Sequence, residues 1–175
     1  MIERKKKKSS GKVKDAKKSL KKVKKKTKKV STSSSDANII KYNFKTPNVG
    51  WLSSFQPCCI ELKDEKGVKH LFASAEHAFH FFKTKSKLYR DKILNASGAS
   101  QARHWGSAKA ECPMRDDWDD IKDEIMYKII TAKYKQNSPL KKRLLATDDA
   151  ILQEFSPWDK ESYWGTNKNG EGKNK

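Results

Sequence analysis

Residues 74–83 read Ser-Ala-Glu-His-Ala-Phe-His-Phe-Phe-Lys, and two stripes run along them at helical spacing. Glu76, His80 and Lys83 recur at i, i+4 and i+7, while Ala75, Phe79 and Phe82 take the same steps one residue out of phase. Residues so spaced share a helix face. The pattern predicts a helix with its apolar face in a core and a line of acid-base groups along the margin. A carboxylate and an amine at such a margin are partly desolvated and charge-coupled, which is how proteins set up general acids, bases and amine nucleophiles. The same residues also fit an ordinary surface pair flanking a core helix.

Working outward, Cys58–Leu62 and Val68–Phe72 flank Lys-Asp-Glu-Lys-Gly, a turn ending in Gly67, and read as a hairpin. Upstream, Ile39–Phe44 reads as a strand, and Pro47–Phe55 between it and the hairpin is a loop rich in functional groups. Downstream, helices are predicted as far as residue 146, with Ser74 and Ser97 as N-caps of the first and third. The longest spans about Asp117–Asn137 and carries Trp118, Ile121, Ile125, Ile129 and Ala132 at three- and four-residue steps. Asp116, Asp117, Asp119 and Asp120 crowd its start, where the helix dipole favours negative charge without any metal. Ser138-Pro139 opens a short helix, and Ile151-Leu152 reads as a short buried strand. The predicted fold is α+β and predominantly helical, with a few short strands near its N-terminus.

Residues 1–36 cannot join that core. Residues 1–35 hold 16 Lys/Arg against 2 acids, whereas residues 36–175 hold 24 against 19, so most of the net +19 lies in the first segment. A segment so poor in apolar surface and so self-repelling is predicted to be a disordered tail that binds polyanions. Residues 37–175 then form one domain, which carries every one of the five Trp, seven Phe and five Tyr, an aromatic load suited to a core and a lined site. No run approaches the roughly 18 apolar residues of a membrane span, and no secretory h-region opens the chain. The expected location is intracellular: nuclear in a eukaryotic or virus-infected eukaryotic cell, given Lys21–Lys29, and cytoplasmic otherwise. Cys58, Cys59 and Cys112 show no disulfide or metal spacing, and with four scattered His no zinc site is expected.

Four short motifs follow one another: Trp-Leu-Ser-Ser-Phe at 51–55, Ser-Ala-Glu-His-Ala-Phe at 74–79, Met-Arg-Asp-Asp-Trp at 114–118, and Tyr-Trp-Gly at 163–165 before a Gly-rich end. Their order resembles the NADAR or YbiA-like family of N-glycosidases over about residues 38–174. The resemblance implies a YbiA-like single domain; neither a cofactor nor a metal is expected. It puts the catalytic Glu on Glu76, the helix Lys on Lys83, the Arg-x-x-Trp pair on Arg115 and Trp118, and the late Trp-Gly on Trp164 and Gly165. Glu161 takes the place of a late Asp, with Asp159 as a second candidate for that acid. The loop residues Trp51, Ser53 and Ser54, and Asn174 of a Gly-x-Asn stretch, are the remaining candidate substrate contacts.

The chain departs from the family pattern at Ser54, Ala75 and Ser107, each expected to remove a polar contact, and at Glu161, which keeps the charge. The family also continues past the Gly-x-Asn stretch with Leu-Gly and a closing helix, absent from these 175 residues, so stability and activity are both open on that account. The implied chemistry is hydrolysis of a ribosyl C–N bond. Glu76 serves either as electrostatic partner of an oxocarbenium-like centre or as base for water. A second acid takes the other role, and Lys83 admits a Schiff-base route through the ring-opened sugar. The Trp faces suit stacking of a base, although Trp118, heading an apolar helical stripe, fits core packing equally well. Arg115 suits a diphosphate, or simple pairing with its Asp neighbours. Two substrate classes are implied: ADP-ribose on guanine in DNA or RNA, which the basic arm favours, and phosphoribosyl-pyrimidine intermediates of riboflavin synthesis. An inactive reader of ADP-ribose or nucleic acid is the alternative of different class.

Overall fold

The computed structural model of the protein describes residues 38–156 and 162–175. In chain order the described elements are β1 (Ile39–Tyr42), β2 (Pro57–Lys63), β3 (Lys69–Ser74), α1 (Ala75–Lys83), α2 (Lys87–Leu94), α3 (Ala99–Trp105), α4 (Trp118–Gln136), α5 (Ser138–Leu145) and β4 (Ile151–Glu154), with single 3-10 turns at Gly50–Leu52 and Ala108–Ala110. The fold is α+β and mostly helical. The tail at 1–36, with its expected disorder, and the candidate acids Asp159 and Glu161 lie outside the described residues.

β2 and β3 form the predicted antiparallel hairpin, with Ile60 opposite Phe72 and Lys63 opposite Lys69. Its turn is closed by Asp64, whose Oδ1 accepts from the backbone N–H groups of Lys66 and Val68 at 2.9 Å each, and by Gly67 at φ +79°, a conformation that favours glycine. Alternate side chains Ile60, Leu62 and Phe72 point inward under α1 and α4. Phe81, Phe82, Ile93, Ala102 and Ile129 complete the buried cluster.

α1 follows β3 without a loop. Ser74 caps it as predicted, accepting from the His77 N–H at 3.3 Å. The third helix differs from expectation: its N-cap is Gly98, and the Ser97 N–H instead donates to the Gln101 side chain at 2.7 Å. α4 and α5 fall within a residue or two of prediction, but Ile121 and Ile125 are only half-buried, so the α4 stripe is core mainly at Trp118, Ile129 and Ala132. β4 is not the buried strand expected. Ile151 is exposed, and β4 lies in parallel register with β1, Ile39 opposite Ile151 and Tyr42 opposite Glu154. That two-stranded sheet brings the last part of the chain beside the first part of the domain. Among the described residues no helix is long and apolar enough to cross a membrane.

Candidate functional site

α1 is buried further round than its two stripes imply. Glu76, His77 and His80 are buried along with Ala75, Ala78, Phe81 and Phe82, whereas Phe79 and Lys83 are half-buried. Phe79, Lys83 and the Glu76–His80 pair face a cavity of about 400 Å³, which Ser54, Phe55, Arg103, Glu154, Trp164 and Gly165 also line.

Glu76 is only 8% exposed, and each of its carboxylate oxygens has a partner. Ser54 Oγ donates to Oε2 at 2.6 Å, and His80 Nε2 lies 3.1 Å from Oε1. The other His80 nitrogen, Nδ1, lies 3.3 Å from the Gly106 carbonyl, which can only accept. Gly106 is required there, because a Cβ would sit 2.3 Å from Nδ1. Burial alone would push the Glu76 carboxyl up. The hydrogen bond and charge of His80, the Ser54 hydroxyl and the Arg103 charge outweigh it and hold the group below the usual carboxylate range. Its place in the first turn of α1 acts in the same direction. The result is a desolvated anion at the edge of an open cavity. Its charge partner is His80, not Lys83, which makes no ion pair or hydrogen bond among the described residues through its amine.

The Ser54 loop is held from behind by a residue that the sequence reading passed over. Lys133, fully buried on α4, donates from Nζ to the carbonyls of Trp51, Leu52 and Ser53 at 3.0, 3.0 and 2.8 Å. Burial pulls this amine down to about 8, against smaller opposing effects of Cys58 and Glu154. Its one signal in the sequence is position: four residues after Ile129, it falls on the core face of the helix. A second missed residue is Glu154, at the end of β4, which is among the residues lining the cavity.

Of the twelve candidate site residues, Ser54, Glu76, Lys83, Trp164 and Gly165 meet on the cavity. Five others lie elsewhere. Trp51 is buried against Tyr134, with the Arg143 guanidinium over its ring at 4.6 Å, and Ser53 offers its carbonyl to Lys133. Trp118 is core, its ring edge-on to Phe79 at 5.0 Å. Arg115 is a bidentate partner of Asp117 at 2.6 and 2.8 Å, while its backbone N–H donates to Lys83 O at 3.0 Å and its Nη1 to Phe82 O at 3.4 Å. It therefore caps the end of α1 in place of reaching a diphosphate. Asn174 clips β4, accepting from Glu154 N at 3.1 Å and donating to Leu152 O at 2.9 Å. The remaining two, Asp159 and Glu161, are outside the described residues. Ser54, expected to lose a polar contact, supplies one to Glu76, and Ser107 lines the cavity with its hydroxyl turned to His104 O at 2.7 Å.

Phe79 is wedged between Trp118 and Trp164, the latter edge-on at 5.7 Å, so the core tryptophan supports the cavity wall indirectly. Gly165 is needed for contact, since a Cβ would approach Glu154 O to 2.6 Å. Among the described residues no group of three or more His, Cys, Asp or Glu is placed to hold a metal ion, and the three cysteines are free. The acidic start of α4 is satisfied by protein cations: Asp117 by Arg115, and Asp119 by Lys122 at 2.6 Å.

The fold and this cavity define an α+β domain with a buried, charge-held carboxylate at the start of a core helix. The NADAR domain family model matches residues 40–175, and the chain belongs to that family. It is 35% identical over 127 residues to a riboflavin biosynthesis protein of Vibrio vulnificus, and 34% identical over 102 residues to the N-glycosidase YbiA of Shigella boydii. Those matches cover 73% and 58% of this chain, and span 32% and 62% of the two relatives. The NMR structure of the Escherichia coli protein YbiA superposes with a TM-score of 0.66 at 30% identity, covering 79% of this chain and 77% of that one.

Proposed function

We propose that the protein is an N-glycosidase that hydrolyses a ribosyl C–N bond, and that its substrate is ADP-ribose attached to guanine in nucleic acid. The observation that carries the activity is Glu76: a carboxylate kept ionised by His80 and Ser54 although buried, and open to a cavity. The name of the Shigella relative supports the same reading.

In the reaction a water oxygen bonds to the anomeric carbon, the C–N bond breaks, and the departing nitrogen keeps the electron pair and gains a proton. Positive charge develops at the sugar carbon, and a fixed anion in a water-poor site stabilises it strongly. Glu76 supplies that charge or takes the water's proton. The proton for the leaving nitrogen comes from a second acid, with Glu154 on the cavity wall joining Asp159 and Glu161 as candidates. Lys83, a residue of the cavity wall whose amine is unpaired among the described residues, offers the covalent route. Trp164 presents an aromatic surface for a base.

The choice of a nucleic-acid substrate rests on the 16 basic residues of the first 35, which suit a polyanion. The same run serves as a nuclear address in a eukaryotic cell, which a fluorescent fusion of residues 1–36 tests. A second reading, hydrolysis of phosphoribosyl-pyrimidine intermediates, is favoured by the riboflavin name of the Vibrio relative.

The deciding experiment incubates the protein and its Glu76→Gln variant with guanine-ADP-ribosylated single-stranded DNA, and in parallel with a phosphoribosyl-aminopyrimidine, and follows released sugar by mass spectrometry. Release of ADP-ribose by the wild type, reduced about 10²- to 10⁴-fold in Glu76→Gln, is the expected result. Release from the pyrimidine alone selects the second reading. No release from either by a folded protein, with ADP-ribose still bound, identifies an inactive reader.

A further inference from the structure

A second cavity of about 400 Å³ adjoins the first, with Phe44, Phe55, Ser97, Ser100 and Gln101 among its walls. Phe55 lines both cavities, so a ligand that leaves the Glu76 cleft across Phe55 enters this groove. We propose that the groove is a subsite for the unmodified nucleobase next to the modified one in a single-stranded substrate, stacked on Phe44. The proposal rests on the nucleic-acid reading above.

The platform is built and open. The Phe44 and Phe55 rings are stacked, 5.1 Å apart and inclined by 22°, yet Phe44 remains 52% exposed. An apolar ring left in water gains from being covered. Its backbone is held on both sides: Thr46 Oγ1 accepts from Asn43 N at 2.9 Å, Asn43 Oδ1 accepts from Lys45 N at 2.8 Å, and Gly50 packs so close that a Cβ there would meet Phe44 O at 2.9 Å. A ring so held loses little freedom when a base covers it.

The surroundings suit a base within a strand. The Lys45 amine lies over the Phe44 ring, 5.4 Å from its centre, on an exposed and flexible side chain that swings outward when a base takes that face and there meets the adjoining phosphate. The hydroxyls of Ser97 and Ser100 have no partner among the described residues, while Gln101 offers a side-chain amide, a mixed set that fits the donors and acceptors of a base edge. Residues 1–35, with their excess of 14 positive charges, run within a few residues into β1, and β1 ends at Tyr42, two residues before Phe44. That charge complements a polyanionic strand. The adenine of the ADP-ribose itself is the competing occupant. The continuing positive charge of Lys45 and the arm favours a continuing strand over a base confined by one diphosphate.

The test uses the full chain and a single-stranded oligonucleotide with one unmodified guanine flanked by 5-iodouracil. Crosslinking is carried out at about 0.5 M salt to weaken binding by the arm, and crosslinked peptides are mapped by mass spectrometry. The expected result is attachment at Phe44 or Phe55, reduced about tenfold in Phe44→Ala and restored in Phe44→Tyr, the loss of one stacking contact. The unfolding temperature of each variant checks its fold. Crosslinks confined to the Lys-rich arm overturn the proposal, as does capture at Phe44 of an azidoadenine ADP-ribose but not of the oligonucleotide. The readout is binding, not turnover, so its failure leaves the glycosidase reading standing. A crosslink at Phe44 in a protein that releases no ADP-ribose would sink that reading and keep the subsite.

Discussion

Ser54 and Glu76 are joined twice: the Glu76 backbone N–H donates to Ser54 O at 3.0 Å, and Ser54 Oγ donates to Glu76 Oε2 at 2.6 Å. The first bond satisfies an N–H that the opening turn of α1 leaves without an intrahelical partner, and the second fixes the carboxylate rotamer. A loop 22 residues upstream is thereby part of what holds this carboxylate. Ser54→Ala removes one of the contacts that lower the Glu76 carboxyl, so its titration moves up toward the burial-dominated value. The acid limb of the pH–rate profile is expected to shift to higher pH, with less change on the alkaline side.

Glu76 also links pH to stability. Its carboxyl is lower in the folded chain than its ordinary 4.5, so it contributes stability above pH 4.5 that is lost as pH falls through the folded value. In Glu76→Gln that acid loss is expected to shrink, measured as the difference between wild-type and variant denaturant midpoints from pH 6 downward.

Lys133 runs the other way. Its folded value is about 8 against an ordinary 10.5, so between those pH values the unfolded chain binds more protons and stability rises with pH. Lys133→Met abolishes that rise. It also leaves the carbonyls of Trp51, Leu52 and Ser53 without their donor, at a cost of about 1–3 kcal/mol at neutral pH. Urea titrations of both proteins from pH 7 to 10.5 separate the two effects.

Gly106→Ala places a Cβ 2.3 Å from His80 Nδ1, and the imidazole must turn away from Glu76. The expected outcome is a stability loss of about 1–3 kcal/mol. Turnover should fall by more than this predicts from folded fraction alone, as read by kcat on protein shown folded by near-UV circular dichroism.

The tryptophans separate by readout. Trp118→Ala empties a core site and should cost about 3–5 kcal/mol of stability. Trp164→Ala, at the half-buried cavity wall, should instead raise KM about tenfold, the loss of one stacking surface. Equal effects of the two on KM would contradict their placement.

The hairpin, the Ser74 cap, the bounds of α4 and the helical phase of Glu76 and His80 follow from the sequence alone, because each depends on contacts within about one turn or one hairpin, where period and capping chemistry decide the outcome. The motif order was equally legible. Which residues line a cavity was not. Arg115 and Trp118 occupy neighbouring turns of chain, yet one caps the end of α1 and the other props Phe79, neither touching the cleft that their motif suggested. Lys133 looked like one more basic residue in a basic chain until α4 was laid across the Trp51–Ser53 loop. Glu154 entered the site only because β4 pairs with β1, at a separation no local pattern records. Local spacing determined the helix and the identity of its carboxylate. The tertiary structure decided what holds that carboxylate charged, because burial and the partners that offset it come from segments distant in sequence.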